Sequence, residues 1–171
     1  SRAGVYKLTT DGGVKKYDKS NGLNGELYRT VTELSDNTIL VAGDSGMSFI
    51  KDDDSVYNIG TQMINSKVLC TLQADDKTIF AGTDGNGIEV IRDGVIVGNF
   101  GKNEGLSSGV ILRMVEDSSG DGIFIVTSVY NTLRVRIANP MELIRAPKKG
   151  EKDSKMLYRL ASLLGLEVYP E

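Results

Sequence analysis

The 171-residue chain contains no histidine, no tryptophan, one cysteine and three prolines. Without histidine, a nucleophilic serine has no imidazole base to take its proton, so a Ser-His-Asp arrangement is excluded within the chain. The single Cys70 excludes an internal disulfide, and with histidine also missing it argues against a tetrahedral zinc site. No run of 18 apolar residues occurs, so no transmembrane helix is expected, and no signal-peptide pattern opens the chain. The first residue is Ser, and the chain is expected to be a processed or cut piece of something longer, with any membrane anchor outside it.

What is abundant is glycine, 20 residues, set among short Val/Ile/Leu runs, with apolar residues at 40%. That pattern predicts one domain with a buried core and many tight turns. Net charge is −3. Residues 1–137 carry 14 basic and 18 acidic side chains, and residues 138–171 carry 6 and 5. An acidic body lacks the clustered basic face of a nucleic-acid binder. The basic stretch Lys148, Lys149, Lys152, Lys155 and Arg159 reads as a solvated linker.

The chain repeats itself. Residues 34–50, 73–91 and 116–128 each run from an acidic turn through an apolar strand to a small-residue turn. Ile39 and Ile79 are 40 apart, and Gly43 and Gly82 are 39 apart. Residues 4–23 align with 87–106 without a gap, from Gly4 with Gly87 to Leu23 with Leu106. One unit resolves into strands at Val68–Gln73, Thr78–Gly82, Ile88–Arg92 and Val95–Phe100. Asp93-Gly94 between the last two is a favoured two-residue hairpin turn. Four strands in about 40 residues is the arithmetic of a β-propeller blade.

This decides the meaning of Gly43-Asp44-Ser45-Gly46. The tetrapeptide is similar to the segment carrying the serine of trypsin-like proteases. Here it stands where the second repeat has its Gly82–Gly87 turn, between the second and third strands, and it reads as a turn. No spacing points to a Ser-Lys pair.

Gly105-Leu106-Ser107-Ser108 through Thr127, together with Asn21-Gly22-Leu23 and the Ala81–Gly85 strand ending, resembles the two-component regulator propeller repeat. The resemblance covers roughly residues 4–128. It implies an extracytoplasmic sensory module of a membrane-anchored bacterial signalling receptor, whose kinase or diguanylate cyclase output lies outside this chain. Related propellers also occur in carbohydrate-active proteins. Family blades often carry a Trp in the second strand; here Phe80 and Phe124 stand near that position.

The expected fold is all-β: a partial propeller of about three four-stranded blades over 1–137, with repeats at about 4–17, 18–60, 61–101 and 102–137. Leu133–Ile137 is read as a strand. Residues 138–171 are read as a linker followed by a C-terminal α-helix at about 153–165, with Met156, Leu157, Leu160, Leu163 and Leu164 on its apolar face. A partial ring leaves open strand edges, so a homo-oligomer that closes the propeller is one expected partner, beside a small molecule, a glycan or another protein. A structural interaction propeller without a small ligand and a carbohydrate-active protein are the alternative functions. No cofactor is expected.

Candidate ligand contacts are Asn21, Asn24, Asn65, Asn103 and Ser107, on the polar loops that join one blade to the next, because loops on a rigid scaffold carry binding. Asp117, Ser119 and Asp121 have the alternating oxygen spacing of a calcium loop, but Ser128 stands where a bidentate Glu is needed, so a turn is the plainer reading. Asp52-Asp53-Asp54 reads as a solvated loop, and its adjacent carboxylates do not flank a glycosidic bond. Gly82–Gly87 lacks the lysine of a P-loop. Cys70 reads as a small core residue. Tyr28, Tyr57 and Tyr130 read as packing at strand edges, with stacking on a sugar as the functional alternative.

Overall fold

Turn chemistry cuts the chain into short antiparallel strands. A computed structural model describes residues 4–60, 64, 66–74, 77–116, 122–128 and 132–135. Four turns, at 9–13, 34–38, 51–55 and 74–78, share one design. In each, the first residue's N–H donates to the fifth residue's C=O at 2.9 Å, and the fourth residue's N–H donates back to the first C=O. The fourth residue is left-handed in all four copies: Gly12, Asn37, Asp54 and Lys77. Asp93 and Gly94 have φ of 50° and 75°, the type I′ geometry whose twist suits a hairpin, and Val95 pairs with Arg92 across it.

Thirteen strands result in the described residues. β1 (Val5–Leu8) and β2 (Val14–Tyr17) form a two-stranded sheet. β3 (Tyr28–Glu33), β4 (Ile39–Gly43), β5 (Gly46–Ile50) and β6 (Val56–Gly60) form a four-stranded meander. β7 (Val68–Gln73), β8 (Ile79–Thr83), β9 (Ile88–Arg92) and β10 (Val95–Phe100) form a second. β11 (Ile111–Glu116), β12 (Ile123–Thr127) and β13 (Thr132–Val135) form a three-stranded sheet. The second strand of the β7–β10 blade is Ile79–Thr83, one residue later than the sequence reading at both ends. Arg136, Ile137 and the helix expected at 153–165 lie outside the described residues.

The sheets stack as blades, and each junction is a separate apolar layer. Tyr17, Leu23, Val41 and Ile50 lie between the first two sheets. Leu40, Met47, Phe49, Ile79 and Ile91 lie between the next two. Cys70, Phe80, Val90, Ile111, Ile123 and Ile125 join the last two. A blade covered on both faces has to be apolar on both. Every residue of β8 is accordingly buried, whereas β12 alternates buried and exposed.

Two features recur in the three larger sheets. The inner strands β3, β7 and β11 each carry a bulge at the second residue, shifting register between Tyr28 and Thr30, Val68 and Cys70, and Ile111 and Arg113. The residue just after the second strand donates its N–H to the carbonyl of the residue that precedes the inner strand: Asp44 to Leu27, Asp84 to Lys67 and Ser128 to Val110, at 3.1, 2.9 and 3.2 Å. These pairings align Gly43 with Thr83 and Ala42 with Gly82. The 39-residue match of Gly43 to Gly82 is therefore one residue out of register, because the two glycines answer different constraints. A Cβ on Gly43 would lie 2.0 Å from the Leu27 carbonyl oxygen, whereas one on Gly82 would lie 2.6 Å from Cys70 Sγ.

Candidate functional site: the inter-blade loop rim

The loops entering each blade meet the turns between its second and third strands, so both sets gather at one end of the stack. Asn24, on the loop from β2 to β3, donates its Nδ2 to the carbonyls of Ser45 and Met47 at 2.8 and 3.2 Å. Its Oδ1 accepts from Ser48 Oγ at 2.9 Å. The Tyr28 hydroxyl joins this group by accepting from Gly25 N at 3.1 Å. In the next blade, Gly85 and Gly87 both donate to the Gly109 carbonyl, at 3.0 and 2.8 Å, tying that blade to the one after it. Ser107 Oγ lies 3.3 Å from Thr127 Oγ1, and Ser108 Oγ lies 3.0 Å from Ser128 Oγ.

The predicted contacts distribute unevenly over this rim. Asn21 ends the short 3-10 turn Lys19–Asn21, and its Oδ1 accepts from Asp18 N at 3.0 Å as part of a capping box. Asn103 is exposed on the matching turn Lys102–Glu104, on the loop from β10 to β11. Ser107 is exposed in the same loop. Asn24 is half-buried, with both ends of its amide bonded to the protein. Asn65, Tyr130, Asp117, Ser119 and Asp121 lie outside the described residues. Among the described residues, no group of three His, Cys, Asp or Glu side chains is placed to hold a metal ion.

Ser45 occupies a two-residue hairpin turn, since Gly43 pairs directly with Gly46. It packs against Gly25, where an added Cβ would fall 2.6 Å from its Oγ. Tyr57 stacks on Phe49 at 4.4 Å between centroids with the rings 5° from parallel, and Lys51 Nζ stands 5.8 Å from the Tyr57 ring centroid. Asp53 and Asp54 are more than solvated loop residues. Asp53 caps its own turn through Ser55, and Asp54 accepts from the Tyr17 hydroxyl at 2.6 Å and pairs with Lys15, joining the first two sheets.

Two polar groups on the rim had no counterpart in the sequence reading. Arg29, the bulge residue of β3, donates Nε to Asp44 at 2.6 Å, and Lys67 Nζ stands 4.0 Å from the same carboxylate. Arg29 holds the Asp44 carboxyl below its ordinary range, opposed by partial burial. The second is Glu89, the second residue of β9 and only 4% exposed. It accepts from Asn86 Nδ2 at 2.7 Å, while Asn99 donates to the Asn86 carbonyl at 2.7 Å. Burial pushes the Glu89 carboxyl up. A charged residue inside the apolar run Ile88–Ile91 was the available signal for this group. Among the described residues the rim offers hydroxyls, amides and a paired Arg-Asp-Lys cluster, groups that donate and accept hydrogen bonds.

No family model and no curated protein matches the chain. Solved structures do. The extracellular domain of BT4673 from B. thetaiotaomicron, described as a hybrid two-component system, superposes with a TM-score of 0.61 at 16% identity, over 83% of this chain and 22% of that one. The extracellular domain of BT3049 from the same organism, described likewise, gives 0.57 at 19% identity, over 74% and 16%. Virginiamycin B lyase from Staphylococcus aureus gives 0.56 at 15% identity, over 81% and 50%. This chain thus spans half or less of each of these structures. At such identities the likeness carries the architecture: the chain has an all-β, propeller-type fold built of antiparallel blades.

Proposed function

We propose that this chain is a non-catalytic sensory piece of an extracytoplasmic propeller, from a membrane-anchored bacterial signalling receptor whose output domain lies elsewhere. Rigid four-stranded blades carry a rim where polar loops from adjacent repeats converge, and this convergence is the observation that supports the reading. Its likeness to extracellular domains of hybrid two-component systems favours the same reading. Asn103 and Ser107 are the candidate contacts best placed to meet a small molecule, glycan or partner, because both are exposed on the rim. Asn21 and Asn24 act there by shaping the loops.

The second reading is an interaction propeller with no small ligand. It is favoured by the amide of Asn24 and the carboxylate of Glu89 being engaged within the protein. A thermal-shift screen against mono- and oligosaccharides and short peptides separates the two, since a ligand specific for the folded state raises the midpoint with its concentration. A saturable rise, lost in the Asn103→Ala/Ser107→Ala double variant, supports the sensory reading. A flat screen together with capture of a defined protein partner moves the function to the second.

A further inference from the structure

β1 and β2 hold the place of the third and fourth strands of a complete blade, with the same pairing from Val5 to Lys7 as from Ile88 to Val90; only the hairpin end differs, where Leu8 pairs with Val14 but Ile91 pairs with Ile96 beside a bulge. Gly4 matches Gly87, and Tyr17 matches Phe100. A Cβ on Gly4 would fall 2.1 Å from the Tyr17 carbonyl oxygen, and one on Gly87 would fall 2.3 Å from that of Phe100. A three-residue 3-10 turn follows each pair, Lys19–Asn21 and Lys102–Glu104, and each ends on a left-handed glycine, Gly22 and Gly105.

The inner side is where they differ. In the complete blades the third strand is zipped along its inner edge to the second: Ile79, Phe80, Ala81 and Gly82 face Ile91, Val90, Glu89 and Ile88. In the blade before it, β4 and β5 pair in the same way. Among the described residues β1 pairs with β2 alone, so the backbone groups on its inner edge have no neighbouring strand. One side-chain face is open as well. Tyr6 and Leu8 are 50% and 76% exposed, whereas Glu89 and Ile91, which match them, are 4% and 0% exposed. Val14, opposite Leu8, is exposed too. An open strand edge beside an apolar face is what recruits a further strand.

We propose that β1–β2 is a docking site for an antiparallel strand pair of this same repeat, which adds to the edge of β1 and completes a four-stranded blade. The register follows from the complete blades. The incoming strand sets a β-branched residue opposite Leu8, a large apolar residue opposite Lys7, an apolar residue opposite Tyr6 and a small residue opposite Val5, as Ile79/Ile39, Phe80/Leu40, Ala81/Val41 and Gly82/Ala42 stand in the complete blades. Within this chain the three candidate pairs β3–β4, β7–β8 and β11–β12 are each engaged in their own sheets. The sequence of 136–171 carries no copy of the pattern. We therefore take the donor to be a further copy of this repeat's strand pair, joined ahead of Gly4 as Asn86 is joined ahead of Gly87.

The test appends a second copy of residues 66–86 directly before Gly4 of the full chain, so that Asn86 joins Gly4 as it joins Gly87. Hydrogen exchange is followed at the amides of Val5–Leu8. Completing the blade should slow the exchanging edge amides about tenfold or more and raise the unfolding midpoint. Ile79→Pro made in the added copy alone, which cannot continue a central strand, should abolish both effects. Unchanged exchange in the fusion, or equal protection in the proline control, overturns the proposal. So does an unmodified chain that forms concentration-dependent dimers with β1 already protected, because the edge would then belong to a second copy.

Discussion

Asn86 reaches across the turn between β8 and β9 to hold the Glu89 carboxylate at 2.7 Å. The acid is buried, and burial raises its pKa above the ordinary 4.5, against the opposing hydrogen bonds from Asn86 and Asn99. The folded chain therefore binds this proton more tightly than the unfolded chain does. Its contribution to stability is full below pH 4.5 and is lost as pH rises through the folded value. Glu89→Gln keeps an oxygen for Asn86 and removes the charge. Urea denaturation should show the variant more stable than the parent at pH 7, with the gain fading below pH 4.5. A variant less stable at pH 7 would mean that the hydrogen bonds to the carboxylate outweigh its burial.

Asn24 separates a loop clamp from a ligand contact. Asn24→Ala strands the Ser45 and Met47 carbonyls and the Ser48 hydroxyl, and should cost about 2–3 kcal/mol in denaturant titration at pH 7. Asn24→Asp keeps the acceptor for Ser48 and loses both donors to the carbonyls, so it should not rescue. If Asn24 served only a ligand, Asn24→Ala would stay within about 0.5 kcal/mol of the parent.

The Asp93-Gly94 turn was fully legible in the sequence, and it predicts its own mutants. Gly94 has open space around it, with nothing within 4 Å of an added Cβ, yet its φ of 75° is left-handed. Gly94→Ala should therefore cost about 1–2 kcal/mol from backbone strain alone. Asp93→Asn, which suits the same left-handed position, should hold the parent's stability. A thermal melt of the two variants checks both. A Gly94→Ala variant as stable as the parent would overturn the strain argument, and a loss in Asp93→Asn would show that the Asp93 carboxylate itself supports the turn.

What the sequence made legible follows from period and turn chemistry. The β-branched runs of β9 and β10 and the Asp-Gly turn between them placed those strands to the residue. The gapless echo of 4–23 in 87–106 returned as matched strands, matched 3-10 turns and matched glycines. Glycine identity alone misled by one residue, because Gly43 makes room for a carbonyl and Gly82 makes room for side chains. The recurring bulge of the inner strands, at Arg29, Leu69 and Leu112, has no glycine to mark it and was not legible. The rim was legible as loops but not as contacts. Asn24 and Asn103 look alike in sequence, and only the folded turn beside Asn24 engages its amide.

Cys70 and Gly82 give the last prediction. They face each other across β7 and β8, with the thiol buried and pushed up to about 11 by desolvation. Such a thiol is neither ionised nor accessible at pH 8. A disulfide reagent should leave it unmodified in the native protein and label it fully in denaturant; fast native labelling would mean that the layer between the last two blades opens. Gly82→Ala tests the same layer by filling it. The new Cβ would fall 2.6 Å from Cys70 Sγ and 2.7 Å from Ile111 Cγ2. Ile111 is stiff at χ1, so overpacking should cost about 1–3 kcal/mol. Cys70→Ala in the same chain removes the sulfur clash but not the Ile111 clash, and should restore only part of the loss. Full restoration would mean that Ile111 yields freely, and that the junction between the last two blades is softer than its burial indicates.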